Sequence, residues 1–192
     1  MVGWEASAAS SASDPTYLGW RGPSGSAPAV RPARRPGSRV GYVRRMSETS
    51  YDLERFVRAQ DAGGTYKSAL AELSAGSKRG HWMWFVFPQV AGLGRSETAR
   101  VYAVSGLPEA RAYLRHPVLG PRLRECAEAL AATGTTDATE VLGGVDATKL
   151  RSSMTLFERA AADSVEAEPF VRVLERFFGG RRDDATTGIL GS

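Results

Sequence analysis

The sequence predicts an all-α fold: one compact domain of seven or eight short helices over residues 47–192, preceded by a disordered arm over 1–46. Three observations carry this reading. From Ser47 onward, apolar residues recur at i, i+3, i+4 and i+7, the period of one helix face. Glycine, proline and small polar residues fall between those stripes, where helices start and stop. No two apolar runs are joined by hairpin chemistry, and no internal repeat is present.

In chain order, Leu53, Phe56, Val57 and Gln60 form the first stripe, stopped by Gly63-Gly64. Tyr66, Ala69, Leu70 and Leu73 form the second, with Thr65 as its N-cap and Gly76 as its stop. The run Trp82–Phe87 is apolar on all sides, so its period fits either a buried strand or a buried helix. Its helical neighbours favour a helical turn. Ser96 caps a short helix through Tyr102, and Pro108 opens another over 108–115 from its first position. After Pro117, the residues Leu119, Leu123, Cys126, Ala127 and Leu130 share one face of a longer helix, which makes Cys126 a small core residue. Asp137 with Glu140 resembles a capping box. Asp146 is read as the cap of a helix carrying Leu150, Met154, Phe157 and Ala161. Pro169 starts the last helix, with Phe170, Val173, Leu174 and Phe177, ended by Gly179-Gly180. The core is expected to centre on Trp84, Phe85, Phe87, Leu123, Leu150, Met154, Phe157, Leu174 and Phe177.

Composition narrows the function classes. Hydrophobic residues make up 42% of 192, enough for a sizeable core, and no apolar run approaches the ~20 residues of a membrane helix. The N-terminus has no run of signal-peptide type, so a soluble cytoplasmic protein is expected. The single cysteine excludes an intramolecular disulfide, and one cysteine with two histidines cannot furnish a Cys/His zinc cage. The net charge of +4 is uneven. Residues 1–46 hold seven arginines against Glu5 and Asp14, together with half of the ten prolines. Such a stretch buries too little to order itself. It reads either as an upstream extension of a chain whose translation starts at Met46, or as a basic arm that touches nucleic acid.

The strings "KRGHWMWFVFPQVAGLGRS", "YAVSGLPEARAYLRHPVLGPRLREC" and "KLRSSMTLF" resemble the bacterial domain-of-unknown-function 1810 family, over about residues 50–190. The resemblance brings no established activity. Some members carry the label calpastatin, an inhibitor that works through disordered repeats; a single repeat-free domain does not fit it. Gly80 stands where the resemblance leads one to expect a polar or hydroxyl residue, which would loosen the turn before His81.

Cation usage points to a site. The chain has 22 arginines and three lysines, Lys67, Lys78 and Lys149, and the last two fall inside the distinctive strings. An ammonium is a compact point charge, whereas guanidinium is a planar fork. Lys78 precedes His81 and the aromatic run, and Gln89 follows it. Arg95 sits in a glycine-rich turn that opens a helix, an arrangement that presents donors to an anion. Trp82 or Trp84, at the core edge, offers a ring face and an indole N–H. Ser152 and Ser153 lie one turn beyond Lys149. Ser153 points inward, where a hydroxyl either bonds its own helix backbone or pairs with a desolvated Lys149 as a nucleophile. The expected ligand-binding set is Lys78, His81, Trp82, Gln89, Arg95, Lys149 and Ser152, with Lys78, His81 and Lys149 converging within about a ligand's width. The ligand class it fits is small and polar or anionic, a phosphate-bearing nucleotide or nucleotide–sugar, with or without turnover. Two alternatives stand beside it: a non-catalytic protein-interaction module, and nucleic-acid association through the arm. No metal site is expected.

Overall fold

In the computed structural model, residues 51–191 are described. The readings placed on residues 1–46, the disordered arm and its nucleic-acid contact, lie outside them. Helix α1, Glu54–Asp61, runs through a single 3-10 turn, Ala62–Gly64, into α2, Thr65–Ser74. Gly63 and Gly64 both have left-handed φ angles, 60° and 72°, which only glycine adopts without strain. Gly64 therefore takes the N-cap place assigned to Thr65. Thr65 is already helical, and its hydroxyl donates back to Ala62 O at 2.6 Å.

The aromatic run is helical: α3 spans Met83–Val86. Trp82, Met83, Val86 and Phe87 are fully buried. Trp84 and Phe85, placed at the core centre by the sequence, are only half-buried. A single turn has an outer side, and these two residues occupy it. Helix α4, Glu97–Val101, starts at Ser96, whose hydroxyl accepts from Ala99 N at 3.1 Å. Among the described residues the extended pairing amounts to one parallel bridge, Val90 with Val104.

Helix α5, Leu107–Arg115, has Pro108 in its first turn, one residue later than expected. His116 then starts α6, Leu119–Ala131: its Nδ1 accepts the N–H groups of Val118 at 3.2 Å and Leu119 at 3.3 Å. Cys126 is fully buried on α6, and burial pushes its thiol up to about 12, so it acts as an apolar filler. Asp137 caps α7, Ala138–Leu142, by accepting from Thr139 N at 2.7 Å. Glu140 accepts from the Thr135 hydroxyl instead, so the capping box is not reciprocal.

Two helix starts differ from expectation. Helix α8, Gly144–Ala160, begins ahead of Asp146 because Gly143, at φ 80°, turns the chain; Asp146 lies in its first turn and is free for other partners. Helix α9, Ser164–Phe178, is capped by Asp163, which accepts from Glu166 N at 2.9 Å. Pro169 sits inside α9 rather than at its start. The carbonyl its missing N–H would have met belongs to Val165, which is 79% exposed, so water can serve it. Beyond Gly180, where the sequence pattern stops, a further helix α10 spans Asp184–Leu190, capped by Asp183 on Thr186 N.

Helix α8 is the hub, packing against α5, α7, α9 and α10. Its stripe Leu150, Met154 and Phe157 is fully buried, as are Phe87, Leu123 and Leu174; Phe177 is half-buried at the margin. An aromatic chain crosses the core: Phe56–Tyr113 at 5.1 Å between centroids, Tyr113–Phe157 at 5.2 Å and Phe157–Phe170 at 5.9 Å. It ties α1, α5, α8 and α9 together, and such pairs add to the area they bury.

Candidate functional site

The site begins with the loop between α2 and α3. Glu72, near the end of α2, turns one carboxylate oxygen to three donors: Arg79 N at 2.7 Å, Gly80 N at 2.9 Å and Trp82 Nε1 at 2.8 Å. Burial pushes the Glu72 carboxyl up, but those three bonds and the charge of Lys78 outweigh it and hold the group below its ordinary range. The loop is thus tethered, not loosened, at Gly80. A Cβ at Gly80 would lie 2.7 Å from Trp82 Cδ1, so the turn has room for glycine only unless the indole shifts.

That tether aims Lys78. Its backbone N–H donates to Val141 O at 2.9 Å, and its Nζ donates to Gly80 O at 2.6 Å and meets Asp146 Oδ2 at 2.8 Å. Lys149, one turn after Asp146 on α8, places its Nζ 2.8 Å from Asp146 Oδ1 and 4.4 Å from the Trp84 ring centroid. Two ammonium groups therefore converge on the two oxygens of one carboxylate. All three side chains are mostly shielded, at 10%, 15% and 19% exposure for Lys78, Asp146 and Lys149. Burial raises the Asp146 carboxyl, but hydrogen bonds from Lys149 and Lys78 and their charges prevail, and it stays below its ordinary range.

The remaining expected residues divide. Trp82 is buried beneath this cluster, its indole spent on Glu72 and its ring 5.1 Å from Lys78 Nζ. The tryptophan at the core edge is Trp84. His81 is exposed next to the loop. Gln89 and Arg95 belong to a different segment: Gln89 O accepts from Val104 N at 2.9 Å, and Arg95, exposed, precedes the α4 cap. No hydrogen bond or ion pair among the described residues joins either side chain to the lysines. Ser152 is fully buried and shares a 2.7 Å hydrogen bond with Thr186 of α10, so it belongs to the α8–α10 seam. Ser153 does not bond its own helix as expected. Its Oγ is the one buried side-chain polar atom without a partner among the described residues, while Thr155 makes the backward bond, to Arg151 O at 2.8 Å.

Sequence reasoning missed Asp146 and Glu72. Asp146 carried a signal: a carboxylate three residues before a lysine on one helix face pairs with it. Glu72 carried none, since its partners lie across a loop.

The fold and this cluster define a small all-helical protein whose lysine–carboxylate clasp is built on tryptophan. Its family is the one described as "Protein of unknown function (DUF1810)", matched over residues 50–190, and the chain belongs to it. The crystal structure of the conserved hypothetical protein Rv1873 from Mycobacterium tuberculosis is similar, with 48% identity and a TM-score of 0.69, over 73% of this chain and 96% of that one. Among curated proteins, none matches the chain.

Proposed function

We propose that the Lys78–Asp146–Lys149 clasp, with Trp84 beside it, binds a small anionic ligand of the phosphate-bearing, nucleotide-like class. The observation that carries this reading is the sharing of one carboxylate by two ammonium groups. Asp146 is shared between the two ammonium groups, the Glu72 carboxylate also feels the charge of Lys78, and Lys149 donates only one of its three N–H bonds among the described residues. A phosphoryl group accepts the remaining donors, and the half-exposed Trp84 offers ring surface to a base. The scarcity of lysine elsewhere supports the same reading: two of three lysines meet in a chain that otherwise uses arginine. We propose the cytoplasm as the compartment, with which the lone Cys126 agrees.

A thermal-shift screen against nucleotides and phosphorylated metabolites tests the reading, since a ligand that selects the folded state raises the melting temperature. The expected result is a stabilising compound whose effect disappears in Lys149→Met. A shift of equal size in that variant would move the site elsewhere. If no compound acts and the protein instead captures a folded partner, the interaction-module reading prevails.

A further inference from the structure

We infer that the cleft where α1, α2 and α6 meet is a second, separate ligand site, one that takes a small carboxylate. The cleft has a volume of about 270 Å³ and is lined by Gln60, Asp61, Gly64, Tyr66, Lys67 and Arg122. It contains Lys67, the one lysine that the clasp does not use. Its floor is Gln60, a polar residue at a core position of the α1 stripe and 1% exposed. Gln60 donates to Phe85 O at 2.8 Å and to the Tyr113 hydroxyl at 3.2 Å, and its Oε1 accepts from Arg122 Nη1 at 3.2 Å. The amide is thereby locked, and it locks the guanidinium in turn. From below, the Tyr66 ring supports that guanidinium, with the Arg122 Cζ 4.6 Å from its centroid, and the Tyr66 hydroxyl is tied to Glu125.

A guanidinium held on an aromatic face by a buried amide is a preorganised fork for a planar oxyanion. Its anionic partner in the structure is Asp61, at 2.8 Å. That carboxylate is 56% exposed, against 23% for Arg122, so water competes for the Asp61 end of the pair while the guanidinium stays in place. A ligand carboxylate replaces Asp61 on the fork while Lys67 adds charge at the rim. Occupancy would also be felt at the aromatic run, because Gln60 holds the carbonyl of Phe85.

Titration of the full chain with succinate, read by the side-chain NMR signals of Gln60 and Arg122, tests the site. Saturable shifts at both are expected. Arg122→Lys keeps the charge but loses the fork, and should weaken binding at least about tenfold, the scale of a lost charge-assisted hydrogen bond. Lys67→Met should weaken it by up to about fivefold, as for a rim charge. Asp61→Asn should strengthen it, because the internal competitor is gone; a merely structural Arg122–Asp61 pair predicts no such gain. Lys67 and Asp61 are exposed, so these two variants decide the matter even if Arg122→Lys fails to fold. No saturable shift, or a shift indifferent to both Lys67→Met and Asp61→Asn, overturns the proposal. Lys149→Met should leave succinate binding unchanged, which separates failure here from failure of the clasp.

Discussion

Helix α8 is bound to its surroundings by two polar seams of different character. At its N-terminal end, Asp146 and Lys149 meet Lys78 from the α2–α3 loop through charges. Further along, Ser152 meets the Thr186 hydroxyl, the Thr155 hydroxyl accepts from Asp183 N at 2.9 Å, and Arg151 donates to the carbonyls of Arg181 and Arg182. The second seam is closed: the Thr155 and Thr186 hydroxyls each both donate and accept, Thr186 donating to Asp183 at 2.7 Å, and Ser152 is paired with Thr186. The first is open, because Lys149 donates only one of its three N–H bonds among the described residues. The difference teaches which polar cluster can change partners. A hydroxyl seam whose threonines both donate and accept fixes the position of α10, whereas a charged clasp with unused N–H groups retains donors for a ligand.

The comparison can be tested from the largest expected effect downward. Both seams sit on α8, whose apolar stripe includes Phe157, so Phe157→Ala should cost about 3–5 kcal/mol in chemical denaturation, the range for a fully buried aromatic. Phe85→Ala should cost clearly less, because Phe85 is half-buried; equal losses would contradict the outer placement of that ring.

Asp146→Asn is the direct blow to the clasp. It leaves two shielded ammonium groups facing each other, and should cost about 1–3 kcal/mol, as for a charge-assisted hydrogen-bonding group. The pH dependence follows with it. The Asp146 and Glu72 carboxyls are held below their ordinary values, 3.8 and 4.5, so the stability they add is fully present above those values and is lost as pH falls through the depressed folded ones. Stability measured from pH 6 down to pH 2 should therefore fall less steeply in Asp146→Asn than in the parent chain. An identical acid slope would mean the clasp contributes nothing.

Ser152→Ala should cost about 1 kcal/mol, since Thr186 keeps Asp183 as a partner. The expected readout is faster amide exchange in α10 with the clasp unaffected. Smallest of all, Lys149→Met should change stability by well under about 1 kcal/mol, because Asp146 keeps Lys78 as a partner and one of two neighbouring like charges is removed. A loss as large as that of Asp146→Asn would make the clasp a structural seam like its neighbour.

By itself the sequence determined the helical class, the buried stripes and the candidate lysines. These are local matters: a period of 3.6 residues, a glycine at a left-handed turn, and the rarity of one side chain can all be read along the chain. Tertiary structure decided the rest. It turned Trp84 outward and Trp82 inward, because only the packed neighbours of a four-residue helix define its two sides. Asp146 changed from a helix cap to a shared counter-ion once Gly143 had started the helix earlier and Lys78 had arrived from a distant loop. Ser152 went to α10, a helix whose short stripe buries only Thr186 and is too brief to announce itself. Gln89 and Arg95 make no hydrogen bond or ion pair with the lysines among the described residues, and the backbone of Gln89 is joined instead to Val104. In each case the deciding partner lies far along the chain, and a side chain's surroundings depend on contacts that no local spacing contains.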